Sequence, residues 1–93
     1  PSFLVLDRLG VERPDLASRD RSLITIAALV AGGNTEQLPF HLNLGAQNGL
    51  TEKEIVEAIT HLAFYTGWPR AMSAITSAKG TFHSDESAEG EPE

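Results

Sequence analysis

Apolar positions recur along this chain at helical spacings, and nowhere with the alternation of a strand. Over 52–66, Ile55, Ile59, Leu62 and Ala63 make one apolar face, while Glu54, Glu57, His61 and Tyr65 line a second, mixed one. Thr51 precedes this helix with Glu54 three places on, a capping box in which each side chain reaches the other's exposed amide. Gly67 stops it, and Pro69 opens a last helix to about residue 82, with Ala71, Met72, Ile75 and Ala78 inward. Small residues at 71, 74 and 78 allow a neighbouring helix to come close. Upstream, Thr35 is the expected cap of a helix over 36–48 that ends at Gly49. Pro39 falls in its first turn, where no intrahelical donor is lost. Leu38, Leu42 and Gly45 share its inner face with Phe40 and Leu44 beside them, and Gln37, His41 and Asn48 form a polar stripe. Before it, Ser18 or Asp20 caps a helix over 20–31 whose interior, LITIAALVA, is apolar almost all the way round. Such a helix is expected to be buried on every side.

The first twenty residues read as an arm: Phe3, Leu6 and Leu9 suit a short helix, and Pro14 then holds Arg13 extended. An arm over 1–20, a helical domain over 21–83 and an acidic tail over 84–93 complete the layout. Composition narrows the options further. The 93 residues allow one domain, and a monomer of that size hides only about 60–65% of its unfolded surface. Of the net charge of −6, five acids (Asp85, Glu86, Glu89, Glu91 and Glu93) sit in the tail, which reads as disordered and solvated. With no basic stripe, nucleic acid is not an expected partner. No apolar run approaches the roughly 20 residues of a membrane span, and no signal-peptide layout appears, so a cytoplasmic protein is expected. The absence of cysteine removes disulfides, thiolate metal sites and thiol redox chemistry.

His41 with seven residues between it and Gly49, then Thr51, Glu54, Ile55 and Glu57, followed by Tyr65, Gly67 and Pro69, is a specific combination. Together with RSLITIAALVA it resembles the signature of the carboxymuconolactone decarboxylase family, over about 13–79. The resemblance implies an all-α fold of the alkylhydroperoxidase D type, assembled as a homo-trimer or homo-hexamer with sites near subunit contacts. Redox members of that family carry C-x-x-C-x-x-x-H before the histidine, and here Asn34 and Gln37 stand at the two cysteine positions. Neither amide replaces a thiolate. Ser22 after Arg21, where the redox members commonly have glutamate, also points to the decarboxylase branch.

Decarboxylation of that kind is cofactor-free and needs donors for carboxylates, stabilisation of an oxyanion, and an acid to protonate carbon. The resemblance makes His41 the proton donor, since an imidazole titrates near neutral pH. Glu36 would orient a proton or water, and Arg21 would clamp a carboxylate. Asn34, Gln37 and Tyr65 would complete the contacts to a small carboxylate or lactone. Each residue also has an ordinary reading. His41 by type alone is a hydrogen-bonded helix histidine, Glu36 a first-turn acid complementing the helix dipole, and Arg21 a bridge to Asp20 or to a neighbouring subunit. Tyr65 and Trp68 would pack, and His61 would pair with Glu57, a couple too small for a metal site. A family member that binds a small ligand without catalysis is the alternative function.

Overall fold

The computed structural model describes residues 15–83, which form α1 (Ser18–Gly32), a 3-10 turn (Thr35–Gln37), α2 (Leu38–Gln47), α3 (Glu52–Thr66) and α4 (Trp68–Phe82). Most of the predicted arm and the acidic tail lie outside the described residues.

α3 matches its expected bounds because both ends carry explicit chemistry. Thr51 Oγ1 accepts from the Glu54 amide at 3.0 Å, and Glu54 Oε1 accepts from the Thr51 amide at 2.9 Å. α2 closes with Gly49 at φ 110°. The Gly49 amide donates to Ala46 at 3.1 Å and the Leu50 amide to Gly45 at 2.9 Å, which satisfies two terminal carbonyls and folds Leu50 into the core.

Four expectations are corrected. Neither Ser18 nor Asp20 caps α1: Ala17 is the N-cap, extended and without a side-chain bond. Asp20 is instead held by Arg19 at 3.3 Å. Thr35 does not cap α2 either; a 3-10 turn intervenes and α2 begins at Leu38, with Pro39 in its first turn. Met72 points outward, 54% exposed, and Ala74 takes the inner place with Ala71 and Ala78. Alanines there let α4 sit close to its neighbours, where a methionine would hold it off. Finally, α1 is not buried all round. Ile26 and Val30 are sealed, but Ile24 is 57% exposed and Ala28 is open, because α2, α3 and α4 cover one side of it only.

The core joins Ile26 and Val30 of α1, Leu38 and Leu42 of α2, Ile55, Ile59 and Ala63 of α3, the three alanines of α4, and Leu50. Gly45 lets α2 pack tightly here: a Cβ there would lie 3.0 Å from Leu50 Cδ1 and 3.2 Å from Ile26 Cδ1. Nearby, Asn48 Nδ2 donates to Ser22 Oγ at 2.9 Å, which fixes α1 and α2 as antiparallel. Arg19 pairs with Glu54, joining the starts of α1 and α3. His83 pairs with Glu52, joining the end of α4 to the start of α3. Arg70 donates from Nη1 to the Ala31 carbonyl, joining the start of α4 to the end of α1. The helices therefore run up, down, up, down. One end of the bundle, here the closed end, holds Arg19, Asn48, Thr51 and His83; the other, the open end, holds the Gly33–Gln37 segment, the start of α2 and the Tyr65–Arg70 corner.

Candidate functional site

The open end is built around the stop of α1. Gly33 sits in the left-handed region at φ 74°, a conformation that costs glycine little. That turn lets the Gly33 amide donate to Val30 at 3.1 Å and the Asn34 amide to Leu29 at 2.9 Å. Asn34 folds its side chain back over Gly32, with Oδ1 2.5 Å from where a Cβ on Gly32 would stand. The chain then winds through the 3-10 turn, and Gly33, Asn34, Thr35, Glu36 and Gln37 enclose a depression of about 200 Å³. Asn34, Glu36 and Gln37 are exposed, and their side chains make no hydrogen bond or ion pair within the described structure. Their donors and acceptors are available to a small polar ligand.

His41 follows one helical turn after Gln37, in the first turns of α2, and is only 5% exposed. It is held on the same side as Leu38 and Leu42, and the Phe40 ring meets it edge-on at 5.0 Å. The imidazole is thus largely withdrawn from bulk water, one helical turn beyond the segment that lines the depression.

The remaining candidates are spread more widely. Arg21 is buried at 7%, but it lies next to Ser22 near the start of α1. Twelve residues at about 1.5 Å each put it roughly 18 Å along the axis from Gly33. Within one chain it does not reach the depression. Tyr65 is at the open end but 75% exposed, its ring 5.1 Å from that of His61 and outside the lining of the depression. The expected pairing of His61 with Glu57 is not the contact that His61 makes; Tyr65 is.

A larger hollow of about 450 Å³ lies between α1 and α3, floored by Leu23, Ala27, Leu50, Ala58 and Leu62, with Arg19, Glu54, Glu57 and His61 on its rim. It is mostly apolar, and its cation is already committed to Asp20 and Glu54. The smaller depression carries the uncommitted polar groups and is lined by the segment that leads into the motif histidine, so it is the better candidate. Among the described residues no three of His, Asp and Glu come together as metal ligands.

The feature that the sequence did not point out is Arg70. It reaches from the first turn of α4 to Ala31, with Nε 3.6 Å from the place of a Cβ on Gly33, at the edge of the depression. A signal was available: a guanidinium in a helix's first turn faces the positive end of that helix's own dipole. Such a placement is favourable only if it serves another element, here the carbonyl end of α1.

Comparison with known proteins agrees with the architecture and the motif. The sequence model of the carboxymuconolactone decarboxylase family matches residues 5–80. The chain is 40% identical over 70 residues to a 4-carboxymuconolactone decarboxylase of Acinetobacter baylyi, an overlap of 75% of this chain and 52% of that protein. It is 33% identical over 72 residues to a nitrosuccinic acid decarboxylase of Metarhizium robertsii, covering 77% and 50%. The chain therefore belongs to the carboxymuconolactone decarboxylase family, and its all-helical bundle is the fold expected of it. It spans about half the length of the curated relatives it matches.

Proposed function

We propose that this chain is, or forms part of, a cofactor-free decarboxylase of small diacids, with His41 as the proton donor. The observation that carries the reading is the buried motif histidine one helical turn after an uncommitted polar depression, in a chain 40% identical over 70 residues to a 4-carboxymuconolactone decarboxylase. The names of the two relatives describe compounds with a common chemistry. In each, a carboxylate leaves a carbon whose bonding pair can move onto oxygen, through the conjugated lactone carbonyl in one and the nitro group in the other. The C–C bond breaks and carbon dioxide departs without that pair. A dienolate or nitronate remains, and carbon then takes one proton. No electron is gained or lost overall, so the absence of cysteine is no obstacle.

In this reading His41 gives the proton to carbon and is recharged from solvent. The Asn34 and Gln37 amides donate to the developing oxyanion, and Glu36 orients the water that returns the proton. Arg21 and Tyr65, both away from the depression, would touch substrate only where a neighbouring copy brings them to it. Assembly as a homo-trimer or homo-hexamer belongs to the proposal. It is supported by the outward Ile24, Phe64, Tyr65, Trp68 and Met72, each more than half exposed. A cytoplasmic location goes with it, and no helix among the described residues is long and apolar enough to cross a membrane.

The test is carbon dioxide release from 4-carboxymuconolactone and from nitrosuccinate, with wild type and His41→Gln side by side. Release that depends on His41 supports the reading. Equal rates for the two proteins would remove His41 from the chemistry, and binding without release would favour the small-ligand-binding alternative.

A further inference from the structure

Arg70 has a position that its own helix does not explain. It stands in the first turn of α4, against that helix's dipole, and crosses to α1, where Nη1 donates to the Ala31 carbonyl. Its Nε and Cζ lie 3.6 and 3.8 Å from where a Cβ on Gly33 would be, so the guanidinium lies across Gly33, one wall of the depression. Glycine at 33 is required by its φ of 74°, and the guanidinium packs over it at van der Waals distance. The contact with Ala31 occupies one of five N–H donors, and Arg70 is exposed, so the rest of the fork can meet a ligand. The other described cations lie elsewhere. Arg19 is tied to Asp20 and Glu54, Arg21 lies near the start of α1, and Lys53 and Lys79 flank the Glu52–His83 pair at the closed end.

The chemistry decides which carboxylate such a cation should hold. A departing carboxylate loses its charge as it becomes carbon dioxide. A cation bound to it would favour the ground state over the transition state and slow the step. The carboxylate that the substrate keeps has the same charge throughout, so a cation there anchors the molecule without opposing the reaction. We propose that Arg70, at the Gly33 wall of the depression, is the specificity-determining residue that binds the retained carboxylate and makes the site selective for diacids over monoacids. This rests on the decarboxylase reading for its reaction, but the binding step can be tested apart from turnover.

Succinate and monomethyl succinate, neither of which has a group to accept the electron pair, serve as unreactive probes in titration calorimetry of the full chain. Wild type should bind succinate more tightly than the monoester. Arg70→Gln should weaken succinate by about 10- to 100-fold, the scale of a charge-assisted bidentate contact, and leave the monoester almost unchanged. Arg70→Lys should recover part of the loss. In turnover the same Gln variant should raise KM for the diacid by a similar factor with kcat within about twofold, the signature of uniform binding. If Arg70 serves only to cap α1, Arg70→Gln lowers Tm but leaves the succinate-to-monoester ratio intact, and the proposal is overturned. It is equally overturned if wild type does not prefer succinate. Arg70-dependent succinate binding in a protein that releases no carbon dioxide from either diacid would sink the decarboxylase reading and leave the carboxylate site standing.

Discussion

At the closed end of the bundle Arg19 is gripped between Asp20 and Glu54, Glu52 meets His83, Thr51 and Glu54 cap each other, and Asn48 is bonded to the buried Ser22. At the open end Asn34, Glu36 and Gln37 hold their polar groups toward solvent without partners, and Phe64, Tyr65 and Trp68 are more than half exposed. Both ends are made from the same kinds of residue. What differs is whether the side chains answer one another. Polar groups satisfied internally add stability and specify the fold. Groups left to solvent add little to stability and are available to a ligand. Substitutions at the two ends should therefore separate activity from stability.

The largest separation is expected at His41. His41→Gln should lower decarboxylation by about 100- to 10,000-fold, the usual contribution of a positioned proton donor. A planar amide of similar size can still hydrogen-bond in this buried place, so Tm should fall far less than activity. A parallel collapse of Tm and activity would mean that the open end is structural after all.

Asn48→Ala probes the closed end. It strips the partner from the hydroxyl of Ser22, a residue only 6% exposed, and should cost on the order of 1–3 kcal/mol in urea unfolding. The catalytic rate measured on folded protein should hold. Thr51→Ala is milder, costing about 1 kcal/mol through loss of the capping hydroxyl. For a domain of this size that is a fall of about 4–8 °C in Tm, readable by calorimetry. A change in KM for a diacid with either variant would show that the two ends are coupled.

The same contrast explains what could be read from the chain itself. α3 was legible to the residue because Thr51, Glu54 and Gly67 are local signals that need no tertiary context. The depression was also within reach, since its lining is one contiguous stretch, 33–37, leading into the motif histidine. Long-range facts were not accessible. That α1 would be covered on one side only depends on where three other helices lie, and LITIAALVA carries no mark of which side that is. Size misled at Met72: large apolar residues suggest a core, but the α4 contact is built from Ala71, Ala74 and Ala78. Arg70 and Ala31 are 39 residues apart, so no spacing rule links the arginine to the end of α1.

The smallest effect, and the one most specific to the closed end, is the pH dependence of Glu54. The hydrogen bond from the Thr51 amide holds this carboxyl below its usual value of 4.5; desolvation opposes it, and the Arg19 guanidinium adds to the lowering. A carboxylate with a depressed folded-state pKa contributes stability that is fully present above the unfolded value and is lost as pH falls through the folded one. Wild type should therefore be more resistant to urea than Glu54→Gln at neutral pH, and the gap should narrow as pH drops below 4.5. Because the backbone amide is the leading cause, Arg19→Gln should keep part of that narrowing, while added salt should erode only the part that Arg19 supplies. A gap that stays constant from neutral to acid pH, or one that vanishes entirely in Arg19→Gln, would transfer the effect from the cap to the ion pair. The closed end would then be held by surface charge, which is weak and screened, rather than by the geometry of its helix start.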